Sequence, residues 1–371
     1  HYSVKGVEQV MGYAAARGGL KAINNADHLL RTLRDCDPSE PLGADQLTGR
    51  LRLLVDRTMG EAGLWAPELA ALAIRQAEGD ITEAVHLLRS YKSTLPRLAT
   101  AIPVHSNELS LLRRVVPAFR EPGGPQILGR SSDYSARMLN VHEKSVVPAM
   151  DQDENAPSTA HRPHVTRLMD TLREMDLLVD RRNDSDPEPF DITRKPARPP
   201  APRSARLSTM ARAETGALIN LWYRNILGPD GYLHEVTLGE VRHGELPIRV
   251  THPHIGSAIK IGSFRISEVE AIEDLNGIDE DRTKFDVGIG ICFGHNERKA
   301  IAMANLDIAC HRDNGKTSLE QSILMTTDGL DSAGFLEHLK LPHYVTFRSM
   351  MERKMAMRRV SEEQVETKEP A

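Results

Sequence analysis

The chain has 371 residues, 40% hydrophobic and 27% charged, at a mean hydropathy of −0.39, enough to bury the cores of two or three domains. With 47 basic against 52 acidic residues the net charge is −5, and only 4% of residues are aromatic; neither figure suits a partner that is nucleic acid or a membrane surface. No apolar run approaches the roughly 20 residues that span a bilayer, and Cys36, Cys292 and Cys310 are too few for a disulfide framework, so the expected compartment is the cytoplasm.

The opening His1-Tyr2-Ser3-Val4-Lys5-Gly6 does not read as a secretory signal, and Met11 is the expected native start. From Ala14 to Asn140 the pattern is helical. Leu47, Leu51, Leu54 and Val55 recur at helical spacing. A second helix opens on Pro67, carries Leu69, Leu72, Ala73 and Gln76, and stops at Gly79. A third begins after Asp80, which stands three residues before Glu83 as in a capping box, with Val85, Leu88 and Tyr91 as its apolar stripe. The turn Glu121-Pro122-Gly123-Gly124-Pro125 then interrupts the helices; its glycines serve either the turn itself or a close backbone approach to a ligand.

Two stretches poor in apolar residues follow, Met150 to His161 and Asn183 to Pro202, which read as linkers or wrapping arms. The second runs into a basic cluster, Arg194, Lys195, Arg198, Arg203 and Arg206. It is either a solvated linker or a set of guanidinium forks for a polyphosphate.

Beyond Leu207 helix and strand mix. Ile259, Ile261, Phe264 and Ile266 alternate as in a strand, and Phe285, Val287, Ile289, Ile291 and Phe293 alternate more cleanly. The opposite face of this last strand carries Gly288, Gly290 and Cys292, small enough for a backbone or ligand to lie against it. It leaves through Gly294-His295 into a predicted helix with Asn296 as N-cap and Glu297, Arg298 and Lys299 in its first turn. A strand, a glycine turn and a helix N-terminus with two cations can cradle an anion; ordinary strand-to-helix packing is the competing reading. Neither the Walker nor the Rossmann glycine order is present.

Near the end, Phe335-Leu336-Glu337-His338-Leu339-Lys340-Leu341-Pro342-His343-Tyr344 sets His338 and His343 on either side of a bend that Pro342 imposes. Two imidazoles can grip a metal but do not complete a site, and no CxxC is present to help. The pair is either half of a site completed elsewhere or a polar turn. A self-contained metal site needs a third ligand, for which His295 and His311 are the nearby candidates.

Several segments together resemble one family, the I subunit (PhnI) of the carbon–phosphorus lyase core complex. They are Ala15-Ala16-Arg17-Gly18-Gly19, Val55-Asp56-Arg57-Thr58-Met59, Glu68 to Ala73, Gly79-Asp80 with Glu83-Ala84, and Leu87 to Tyr91. Next come Gly123 to Gly129 with Asp133-Tyr134, Asp191 to Arg194, Gly239-Glu240-Val241-Arg242, Phe293 to Ala300, and His338 to Val345. They keep the family's order from about Met11 to Phe347.

The resemblance implies a reaction in which ATP loses adenine to a phosphonate, giving a ribose 1-phosphonate 5-triphosphate, with nucleosidase activity for the I subunit alone. It implies G, H and J subunits as partners, two copies per assembly, and zinc at the I–J boundary held here by His338 and His343; the iron–sulfur chemistry belongs to the J subunit. By resemblance to matched segments, Glu240, Glu297 and Asp307 are candidate catalytic carboxylates, each equally readable as an ion-pair partner of Arg242, Arg298 or Lys299. Arg194, Arg203, Arg206, Arg298 and Lys299 are the candidate cations for the triphosphate. The alternative function is a scaffold that contributes metal ligands to a partner's active site. Departures from the family pattern are Thr346, the stretch Ile226-Leu227-Gly228-Pro229-Asp230-Gly231, and the polar Asn305 and apolar Ile308 in the helix after Glu297.

The expected fold is α+β: a helical N-terminal domain (11–142), an extended arm region with a short helix (143–206), a mixed sheet and helix domain (207–350) and a charged tail (351–371).

Overall fold

A computed structural model describes residues 19–135, 137–139, 141, 165–179, 188–227, 236–275, 281–312, 317–340 and 344–366. The chain divides into two units, Leu42–Leu330 and a second made of the terminal segments His1–Pro41 and Asp331–Ala371. Helix α1 (Gly19–Cys36) belongs to the second unit.

The first unit opens with α2 (Ala44–Arg50), α3 (Arg52–Ala62), α4 (Pro67–Gln76) and α5 (Ile81–Ser93). Pro67 starts α4, where its missing amide donor is one the first turn could not use. Asp80 caps α5 by accepting from the Glu83 amide at 3.0 Å, as its spacing predicts. Val55, Met59, Ile74, Val85 and Leu88 bury the facing stripes in one apolar cluster.

A four-stranded antiparallel sheet follows in the order β1 (Ser110–Val115), β2 (Val236–Thr251), β3 (Ala258–Asp274), β4 (Phe285–Phe293). Strands β3 and β4 cover the alternating stretches. β1 instead lies inside the segment that reads as helical, and β2 shows no apolar alternation. The reason is that these two strands bury polar side chains: Arg113, Arg114, Glu240, Arg242 and His243 are all sealed from solvent, the first four held by ion pairs and His243 by the Ile266 carbonyl, in place of the hydrophobic contacts a period-2 pattern would reveal.

Three helices, α6 (Leu168–Glu174), α7 (Arg203–Arg212) and α8 (Thr215–Leu227), lie between β1 and β2 in sequence, and α9 (Glu297–Arg312) and α10 (Thr317–Thr326) follow β4. Helix α9 rests on β4. A Cβ at Gly288 or Gly290 would run into the Ala304 and Ala300 carbonyl oxygens, so the small-residue face receives a helix backbone. Because α9 is also covered by α7 and α8, it is buried nearly all round, with Ala300, Met303, Leu306 and Ile308 in the main core. Ile308 thus fills space over Gly288, and Asn305 satisfies its amide on the Ile301 carbonyl at 2.7 Å; both departures from the family pattern are absorbed inside this unit.

Helix α11 (Gly329–Lys340) starts in the first unit and continues into the second, which ends with α12 (Tyr344–Glu366). The residues between these helices, 341–343, lie outside the described ones. So do His343, the side chains of His338 and Thr346, and the divergent positions 228–231. Among the described residues no helix is long and apolar enough to cross a membrane.

Candidate active site

The exit from β4 is fastened on two sides. Gly294 takes a left-handed φ of 71°, and a side chain there would collide with Asp56 of α3. Buried Asp56 accepts from the His295 amide at 3.0 Å, while Ser267 of β3 accepts from the Asn296 amide at 2.9 Å and donates to the Gly294 carbonyl at 2.9 Å. Asn296 occupies the N-cap position of α9, its carbonyl accepting the Ala300 amide at 3.0 Å. Its side-chain amide donates to the Asp56 and Phe293 carbonyls at 3.1 and 2.7 Å, so this side chain ties the turn to α3. Gly60 leaves the room for it; a Cβ there would sit 2.9 Å from Asn296 Nδ2.

This turn forms one wall of a cleft of about 710 Å³, with the α2–α3 junction and residues 130–133 around it. Its charge is unbalanced. Arg57 is neutralised by Glu61 and Glu214, at 2.8 and 2.7 Å. Arg50, Arg130 and Arg298 line the same cleft, and among the described residues their side chains have no ion-pair partner. Arg52 donates to His295 Nδ1 at 3.0 Å; burial holds its guanidinium below the ordinary value, Asp56 opposing and Arg130 and Arg265 reinforcing the shift. The first turn of α9 adds amides that have no intrahelical acceptor.

Within this positive cleft sits Glu297. Arg113 of β1 donates to its Oε1 at 2.7 Å, and the same guanidinium reaches Asp133 at 2.9 Å. Burial pushes the Glu297 carboxyl up, but His295 and Arg113 more than offset it, leaving the group below the usual glutamate value and ionised at neutral pH. His295 Nε2 lies 3.5 Å from Glu297 Oε1. The His295 ring stacks on that of His243, centroids 4.5 Å apart and planes 19° from parallel. Burial, and then the neighbouring His295, lower the His243 pKa to about 4, so it is neutral at pH 7.

The other candidate residues from the sequence stand elsewhere. Glu240 is sealed beneath the sheet, accepting from Arg114 Nε at 2.7 Å and from the Leu168 amide at 2.9 Å, where it caps α6. Asp307 is buried and bound by both the Arg203 guanidinium and the Ile289 amide. Each of the three carboxylates is therefore ion-paired, but to arginines distant in sequence: Arg114, Arg113 and Arg203. Arg203 thereby joins α7 to α9, and Arg206 joins α7 to Glu320 of α10. Arg194 is exposed, 3.6 Å from Asp191. Lys299 turns inward and donates to the Ala213 carbonyl at 2.8 Å, its ammonium destabilised by burial. Of that whole set, Glu297 and Arg298 present their charge to the cleft.

Arg50, Arg52, Arg113, Arg130 and His243 were not singled out by sequence reasoning. Arg130 and His243 directly adjoin segments that carry the family resemblance, which is the one signal that points to them. The stack of His243 on His295 follows from register: His243 pairs with Ser267, and Ser267 with Cys292, three residues before His295.

Comparison with known proteins bears out the family resemblance. The family model described as bacterial phosphonate metabolism protein (PhnI) matches residues 12–362. HtxH of Stutzerimonas stutzeri, whose designation as a C-P lyase subunit protein is provisional, is 40% identical over 92% of this chain and 95% of its own length. The alpha-D-ribose 1-methylphosphonate 5-triphosphate synthase subunits PhnI of Rhizobium meliloti and Escherichia coli are each 35% identical, over 94% and 95% of this chain and 95% and 99% of their own lengths. The chain belongs to the PhnI family of bacterial phosphonate metabolism proteins.

Proposed function

We propose that the β4–α9 cleft binds the triphosphate of ATP and that this chain, as a subunit of a carbon–phosphorus lyase core complex, exchanges adenine for a phosphonate at the anomeric carbon. The observation that carries this reading is the set of three guanidinium groups, Arg50, Arg130 and Arg298, without partners among the described residues, gathered at the first turn of α9. Planar guanidinium donors and orphan amides are what phosphate oxygens require. Bond cleavage passes through an oxocarbenium-like sugar, and ionised Glu297 in the same cleft can oppose its positive charge. Two of the relatives are named synthase subunits, which supports catalysis within an assembly; the assembly of this proposal has G, H and J subunits as partners and two copies of the chain, with nucleosidase activity when the chain is alone.

Charge-assisted hydrogen bonds are worth roughly 1.5–3 kcal/mol when sheltered; for side chains on an open cleft the lower end applies. Arg130→Ala and Arg298→Ala should therefore each weaken ATP binding by about tenfold in equilibrium titration. Unchanged affinity in both variants would remove the cleft from consideration. A chain that only scaffolds its partners would release no free adenine from ATP.

His338 and His343 supply, in this reading, two ligands of a zinc ion completed by the J subunit. Two imidazoles suit zinc.

A further inference from the structure

Resting on the proposed reaction, we infer that His295 is a catalytic acid–base residue of the cleft, carrying the proton between the incoming phosphonate and the departing adenine. A guanidinium can only donate, so the contact with Arg52 marks Nδ1 as the ring nitrogen with a lone pair and places the proton on Nε2, toward Glu297. His243 Nδ1 lies 2.8 Å from the Ile266 carbonyl, which can only accept. That bond fixes the orientation of the His243 ring, a flat platform under His295. Glu297 itself is clamped by Arg113. The imidazole is thus oriented from three sides and still lines the cleft.

The charged and titratable groups around it come from every neighbouring element. Arg52 and Asp56 belong to α3, Arg113 to β1, His243 to β2, Arg265 to β3, Glu297 to α9, and Arg130 and Asp133 to the segment between β1 and α6. A triphosphate offers Arg52 stronger acceptors than an imidazole nitrogen, which frees Nδ1. The P–OH of a monoprotonated phosphonate then gives its proton to Nδ1. The bond from C1′ to N9 breaks with its electron pair going to adenine, which takes the proton from Nδ1. A phosphonate oxygen closes the new bond to C1′, and the imidazole ends neutral as it began.

The test compares leaving groups in the assembled complex. With ATP the base must be protonated; with p-nitrophenyl β-D-ribofuranoside 5-triphosphate the phenolate leaves without a proton. His295→Ala should slow adenine release by about 10²–10⁴-fold, the usual size of general acid–base catalysis. Nitrophenol release should fall far less. Should His295→Ala fail to fold, His295→Gln, which keeps a donor toward Glu297, carries the same comparison. Equal losses on both substrates would reduce His295 to a structural residue and overturn the inference, leaving the proposed reaction standing. A wild-type complex that releases neither adenine nor nitrophenol would overturn the reaction itself.

Discussion

Glu240 separates a structural carboxylate from a catalytic one, and its replacement gives a large, readable effect. Its side chain and that of Arg114 are each 1% exposed, joined at 2.7 Å. Removing one partner of such a pair leaves the other charge buried, which costs about 3–5 kcal/mol. Arg114 would keep weaker bonds to the Gly123, Pro125 and Thr166 carbonyls at 3.1, 3.2 and 3.3 Å, so the lower figure applies, to which the lost cap on the Leu168 amide adds about 1 kcal/mol. For a unit of this size roughly 4 kcal/mol lowers the melting temperature by about 7 °C. Thermal unfolding of Glu240→Ala followed by circular dichroism measures it. A variant that melts within about 2 °C of wild type, less than a third of the expected shift, and yet loses adenine release would refute this account and return Glu240 to the chemistry.

Gly290→Val should destabilise by more than the roughly 1–3 kcal/mol typical of overpacking, because the obstacle is the backbone carbonyl of Ala300 and cannot rotate away; chemical denaturation reads it. Stability should also depend on His243. Its folded pKa of about 4 lies below an unfolded value of about 6.5, so the unfolded chain binds more protons between these limits. The contribution is complete above about pH 6.5 and is lost as pH falls toward 4, amounting to about 3 kcal/mol; in His243→Asn the melting temperature should vary less across that window. Alanine at both His338 and His343 should lower the zinc content of the assembled complex, measured by elemental analysis; unchanged metal would dismiss the shared site.

Much was legible without coordinates because it depends on local order. Pro67, the Asp80–Glu83 pair, the alternation from Phe285 to Phe293 and the glycine face at 288 and 290 each encode their own conformation, and the ordered family segments point to the phosphonate chemistry. Charge pairing was not legible. Glu240, Glu297 and Asp307 have basic neighbours in sequence, yet each binds an arginine more than 100 residues away. Which of them stays open to a ligand depends on which arginines the fold removes from solvent, and only the antiparallel register and the seating of α9 decide that. For the same reason Arg203 and Arg206 join helices while Arg50, Arg130 and Arg298 gather at the cleft: periodicity tells which face of an element is apolar, but a guanidinium finds its partner across the tertiary structure.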